Sequence, residues 1–93
     1  MENTLFDKIF RDDQGNIVIA QPPNLPLIVA VTAFLLKQFI SNDNLYMIIN
    51  IIAFGSFFTW GWMELFKGVN YLRRTFGLVA LLGIIYAKFY NYF

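Results

Sequence analysis

"ELFKGVNYLRR" (residues 64–74) joins the two longest apolar stretches of the chain. It carries Glu64, Lys67, Arg73 and Arg74, four of the thirteen charged side chains (7 Lys+Arg, 6 Asp+Glu). One acid and three bases therefore cluster beside sequence that is nearly uncharged. The stretch reads as the cytoplasmic turn of a transmembrane hairpin. Gly68 suits the position after a helix end, where left-handed backbone is common. In a hairpin bending near Gly68 and Val69, Glu64 lies about four or five residues before the bend, and Arg73 and Arg74 about as many after it. All three then share one depth. A carboxylate at the edge of hydrocarbon is costly unless paired, and an arginine fork can take both its oxygens. Glu64 is expected to pair with Arg73 or Arg74. Lys67 and the remaining arginine then face lipid phosphates, and Asn70 bonds backbone groups at the turn. A staple fixing hairpin register and a binding site for an anionic headgroup or partner are both consistent with this cluster.

Outward from the turn, three apolar segments fit spans at about 25–40, 45–66 and 71–90. The first is short: 16 residues at ~1.5 Å each cover about 24 Å against a hydrocarbon core of ~30 Å. Lys37 near its end, and Arg74 and Lys88 at the ends of the third, are placed to snorkel. "SNDN" (41–44) is a tight polar turn. Asn50 is the one strongly polar residue deep in the second span. It falls on roughly the same helical face as Glu64, so it is either a helix–helix hydrogen bond or part of a polar path. Thr32, Ser56 and Thr59 are expected to bond the backbone of their own helices. Gly55 with Thr59, Gly83 with Ala87, and the series Gly77, Ala80, Gly83 are small-residue surfaces that permit close helix approach.

Before the spans, residues 1–24 form a short cytoplasmic segment. Thr4 and Asp7 have capping-box spacing. Leu5, Phe6, Ile9 and Phe10 share one face, so "MENTLFDKIFR" (1–11) reads as a short amphipathic helix, lying on the membrane or packed on the protein's own loops. "DDQGN" (12–16) is a turn and lacks the ligand spacing of a calcium loop. "IVIA" (17–20) is extended. "QPPNLP" (21–26) is a stiff lead-in that Asn24 can cap, with Pro26 in the first turn of the helix.

Composition agrees with lipid as the solvent. Of 93 residues, 58% are hydrophobic and only 14% charged, against about 25% charged in an average soluble domain. A soluble three-helix bundle would need polar stripes that the second and third segments lack. Without cysteine or histidine, disulfides, thiolate nucleophiles and Cys/His zinc sites are excluded, and so is haem ligated by either residue. No cofactor is expected. The net charge of +1 gives no support for nucleic-acid binding. No secretory signal is expected. Lys8, Arg11, Lys67, Arg73 and Arg74 lie on one side of three spans, with Lys37 and Lys88 on the other. This distribution places the N-terminus in the cytoplasm and the C-terminus outside a bacterial inner membrane.

Two stretches carry a family resemblance. "GNIVIAQPPNLPL" (15–27) and "WGWMELFKGVNYLRRTFG" (60–77) resemble motifs of small uncharacterised multi-span membrane proteins of candidate-phylum bacteria. The matching positions are Gly15, Ile17, Val18, Ile19, Gln21, Pro23, Asn24, Pro26 and Leu27, then Trp60, Glu64, Gly68, Asn70, Arg73, Arg74 and Gly77. The resemblance implies a shared membrane architecture and supplies no reaction. A light-harvesting helix fails on spacing, and a holin-like lesion former on the lack of a charged C-terminal tail.

The expected protein is all-α, with three transmembrane helices and a short cytoplasmic N-terminal amphipathic segment. It has no nucleophile–base pair from which to build an enzyme. The leading expectation is a structural or interaction module, a homo-oligomer or an accessory subunit of another membrane protein, in contact with anionic lipids. The alternative is an oligomeric pore or carrier using a polar face around Asn50 and Glu64.

Overall fold

The computed structural model describes residues 4–93, which form four helices: α1 (Leu5–Phe10), α2 (Leu25–Lys37), α3 (Asp43–Lys67) and α4 (Tyr71–Phe89). Residues 1–3, where the first helix was expected to begin, lie outside the described residues. Each start has a local cause. Thr4 and Asp7 exchange hydrogen bonds as a capping box, and Asn24, Asn42 and Asn70 each accept a backbone N–H of the first turn through the side chain. Such caps satisfy donors that the helix itself cannot.

Both α2 and α4 pack on α3 and not on each other, giving an elongated layer of 55 × 24 × 15 Å. Between α3 and α4 the backbones nearly touch at Gly61 and Gly77. A Cβ at Gly77 would run into the Leu65 amide and lie 2.6 Å from the Gly61 carbonyl oxygen. Gly55 and Gly83 have open space where a Cβ would sit. The close contact thus uses Gly61, which the small-residue pattern did not single out, and leaves Gly55 and Gly83 facing outward.

α2 stops at Lys37, earlier than the expected 40. Gln38, Phe39 and Ile40 donate to the carbonyls of Leu35, Leu36 and Lys37, the i−3 pattern of a tightening last turn. At ~1.5 Å per residue α2 covers only about 20 Å. Of the described helices, only α3, with 25 residues, is long and apolar enough to cross a membrane by length and composition.

The "IVIA" stretch forms no strand. Ile17 makes one isolated antiparallel bridge with Arg11, and the Val18 amide donates to the Phe10 carbonyl at 2.7 Å. Between them the chain turns at Gly15, whose φ is 83°, with Asp12 Oδ1 accepting the amides of Gln14 and Asn16. Residues 4–20 therefore fold back on themselves, and α1 packs against α4.

The burial pattern runs opposite to that of a water-soluble core. Leu81 and Ile84 are the only large hydrophobic side chains buried among the described residues; the other buried apolar positions are alanines and glycines. Lys37, Glu64, Asn70 and Arg73 are buried, while Ile51, Trp62, Phe66, Val79 and Leu82 are exposed.

Candidate functional site

The α3–α4 turn is a polar knot. Asn70 ends the two-residue link after Gly68. Its Oδ1 accepts the Arg73 amide at 2.8 Å, and its Nδ2 donates to the Val18 carbonyl at 2.8 Å. The first bond caps α4 and the second ties the N-terminal segment to the turn. Helical phase then points Arg73 at α3. Its Nη2 donates to Glu64 Oε1 at 2.9 Å, and its Nη1 donates to the Ile19 carbonyl at 3.2 Å. Both side chains of the pair are about nine-tenths buried. Arg73 Nε is buried without an acceptor.

Arg74 points elsewhere. Its Nε donates to the Leu65 carbonyl at 2.7 Å, and its guanidinium lies 5.8 Å from the Tyr71 ring centroid. Of the two arginines, Arg73 is thus the partner of Glu64. Arg74 is then the remaining arginine of the expected pair, and the donors of Arg73 are turned inward, to Glu64 and Ile19. Lys67 and Arg74 are the exposed bases here. Arg74 also lines an open cavity of about 210 Å³, together with Lys8, Asp12, Asp13, Asn70 and Tyr71.

Gly68 has a different role from the one expected. Its φ of −62° and ψ of 145° are extended, open to any residue. Space is what demands glycine, because a Cβ would strike the Glu64 carbonyl oxygen and approach Arg74.

The second polar cluster lies at the opposite end of the layer. Lys37 does not snorkel outward; it is 2% exposed. Its ammonium donates to Asn50 Oδ1 at 2.8 Å and to the Tyr92 carbonyl at 2.7 Å. The rings of Phe93, Phe34 and Tyr46 surround it, with centroids at 4.3, 5.0 and 5.8 Å. Aromatic faces stabilise a cation through their quadrupole. Tyr92 reaches Lys37 because the chain reverses at Asn91, whose φ is 62°, a left-handed conformation that asparagine tolerates. Asn50 therefore makes a helix–helix hydrogen bond. Asn50 bonds α2 and Glu64 bonds α4, so within the chain the two are engaged by different neighbours.

This cluster was missed in the sequence, although it holds the one amide beyond the first turn of α3 and the lone base of α2. Matching those two was the available signal. Thr59 Oγ1 donates to the Gly55 carbonyl of its own helix, as expected. Among the described residues, no group of three or more Asp or Glu could hold a metal ion. No family model matches the chain, and neither the curated proteins nor the solved structures contain a match to it.

Proposed function

We propose that the chain is a small integral membrane protein of a bacterial inner membrane, acting as a structural or interaction module. In this reading α2, α3 and α4 all span, with the N-terminus and the Glu64–Arg74 turn on the cytoplasmic side. The observation that carries it is the inverted burial. Large apolar side chains cover the outside, while charged and small residues lie within. Water-soluble monomers rarely expose contiguous apolar surface beyond a few hundred Å². A core helix of a soluble protein would be mostly buried, yet only 11% of the most apolar window of α3 is.

Length supports α3 directly. α4, with 19 residues, spans about 28 Å at ~1.5 Å each. α2 requires its flanks: Pro22 and Pro23 before it, and Phe39 and Ile40 after it, are apolar. A short helix is accommodated by local thinning of the bilayer at modest cost. The resemblance of residues 15–27 and 60–77 to small multi-span membrane proteins points the same way. The exposed Lys67 and Arg74 suit anionic headgroups. The outward Gly55 and Gly83 leave room for another helix, from a second copy or a partner.

The natural chain has no cysteine, so single cysteines report topology cleanly. Gln14→Cys and Lys67→Cys are expected to react with an impermeant maleimide only from the cytoplasmic side. Ser41→Cys and Phe89→Cys are expected to react only from the other. Labelling of Gln14→Cys and Ser41→Cys from one side would remove α2 as a span and overturn the three-span reading.

A further inference from the structure

The cavity of about 210 Å³ beside the α3–α4 turn has walls from α1, the 12–16 turn and the start of α4. Its charged lining is balanced, with Lys8, Arg11 and Arg74 against Asp7, Asp12 and Asp13. Part of that charge is used within the wall. Arg11 Nε pairs with Asp7 at 3.0 Å, and its Nη1 donates to the Gly15 carbonyl at 2.6 Å. Asp12 Oδ1 accepts the amides of Gln14 and Asn16. Among the described residues the side chains of Lys8 and Asp13 make no hydrogen bond or ion pair, and Arg74 uses only its Nε, on the Leu65 carbonyl. All three are exposed, so they are open to a ligand rather than stranded.

Arg74 and Tyr71 also line a second cavity of about 260 Å³, completed by Leu65, Thr75 and Leu78. Thr75 Oγ1 donates to the Tyr71 carbonyl, which turns its proton away from this groove. Leu78 lies about 10 Å along α4 from Tyr71, at ~1.5 Å per residue. A polar cavity thus adjoins an apolar groove that follows α4 away from the turn, with Arg74 at the junction. The guanidinium is held there by the Leu65 carbonyl at 2.7 Å and the Tyr71 ring at 5.8 Å. The polar cavity is smaller than the ~300–1,000 Å³ pockets that enclose drug-sized ligands, so it takes a headgroup and leaves the rest of a lipid outside. A purely anionic headgroup would use Lys8 and Arg74 but meet Asp12 and Asp13. A headgroup with both a phosphate and a primary ammonium uses both sets.

We propose that this cavity binds the phosphoethanolamine headgroup of a membrane lipid. Lys8 and Arg74 hold the phosphate, since an arginine fork matches two of its oxygens, and the start of α4 adds the positive end of its dipole. Asp13, with Asp12 beside it, takes the ammonium. One acyl chain lies in the groove past Tyr71 to Leu78. Leu5 and Phe6 of α1 are exposed beside the cavity and suit the boundary between headgroups and acyl chains. The proposal rests on the reading that α3 and α4 cross the bilayer, and adds to it a stated lipid and the residues that select it.

The test is native mass spectrometry of the full chain released from non-ionic detergent. Palmitoyl-oleoyl phosphatidylethanolamine, phosphatidylglycerol and phosphatidylcholine compete as probes, and free phosphoethanolamine is added separately. One phosphatidylethanolamine is expected to stay bound, preferred over each of the others by roughly tenfold, about 1.4 kcal/mol. The trimethylated head cannot donate to Asp13, and the glycerol head offers no cation. Arg74→Gln should weaken retention of all three lipids several-fold. Asp13→Asn should weaken phosphatidylethanolamine and strengthen phosphatidylglycerol, a change of order that misfolding does not produce. Lys88→Gln, at the far end of the layer, should leave retention unchanged. All three side chains are exposed, and circular dichroism of each variant checks folding. Equal retention of the three lipids would overturn the inference, as would an unchanged order in folded Asp13→Asn, or a loss in Lys88→Gln as large as in Arg74→Gln. A preference of the natural chain for phosphatidylglycerol would overturn the zwitterionic assignment, and free phosphoethanolamine binding as tightly as the lipid would overturn the lipid source. Cysteine labelling reads the spans separately. Expected labelling without a lipid preference refutes this site alone, whereas labelling of Ser41→Cys and Lys67→Cys from one side removes α3 as a span and the premise with it.

Discussion

The two ends of the layer solve the same problem in different ways. At the turn, Arg73 is buried with a carboxylate, Glu64, and ties in the Ile19 carbonyl. At the far end, Lys37 is buried with an amide, a backbone carbonyl and three aromatic rings. The first is a matched pair in which each partner depends on the other. The second is a lone cation held by neutral groups, which do not become stranded charges if it is removed. The comparison teaches that burial of a charge does not by itself predict fragility; what is left behind does.

Substitutions followed by SDS-induced unfolding in mixed micelles can break or sharpen this contrast. Arg73→Met should cost most, about 3–5 kcal/mol, because it leaves Glu64 buried and uncompensated. Adding Glu64→Gln to that variant should recover much of the loss; strict additivity would show that the two residues do not act as a pair. Gly77→Val comes next, at about 3 kcal/mol, since the clash is with the backbone at Leu65 and Gly61 and cannot be relieved by a side-chain rotation. Asn70→Ala removes a helix cap, worth about 1–2 kcal/mol. Because the same side chain holds Val18, this variant should also speed tryptic cleavage at Arg11; unchanged cleavage would mean the N-terminal segment is held without Asn70. Lys37→Met, the counterpart of Arg73→Met, should cost only about 1–2 kcal/mol, since the Asn50 amide oxygen and the Tyr92 carbonyl lose a donor but no charge is stranded. A loss as large as that of Arg73→Met would erase the distinction between the ends. Gly83→Ala should be smallest, neutral or stabilising by up to about 0.5–1 kcal/mol from helix propensity, because its Cβ meets nothing. A destabilised Gly83→Ala would point to an occupied face.

Much of this was legible locally. The asparagine and threonine caps, the polar turn at 12–16 and the three apolar segments follow from neighbours within four residues. So does the opposition of Glu64 to an arginine across a short turn. Which arginine was not legible, because adjacent residues point about 100° apart on a helix and the rotation of α4 is set by Gly77 against Gly61. Gly68 misled for a related reason. The link runs extended into Asn70, so what excludes a side chain is the Glu64 carbonyl and Arg74, not the backbone angle. The Lys37 cluster was hidden most deeply. Its third member, Tyr92, arrives only because Asn91 reverses the chain, and no periodicity in α2 or α3 encodes that.

The polar clasps also set an order of assembly. Asn70 reaches back 52 residues to Val18, Arg73 reaches 54 to Ile19, and Lys37 waits for a partner 55 residues later. During synthesis, chains emerge N-terminus first at about 5–20 residues per second. For several seconds α2 and α3 exist with Lys37 holding only Asn50, and with residues 17–20 having nothing to bind. The emergence of α4 then supplies Asn70, Arg73 and the tail in quick succession. The nascent protein is an open hairpin until residues 70–92 are made, and both ends then close on residues from that same later piece.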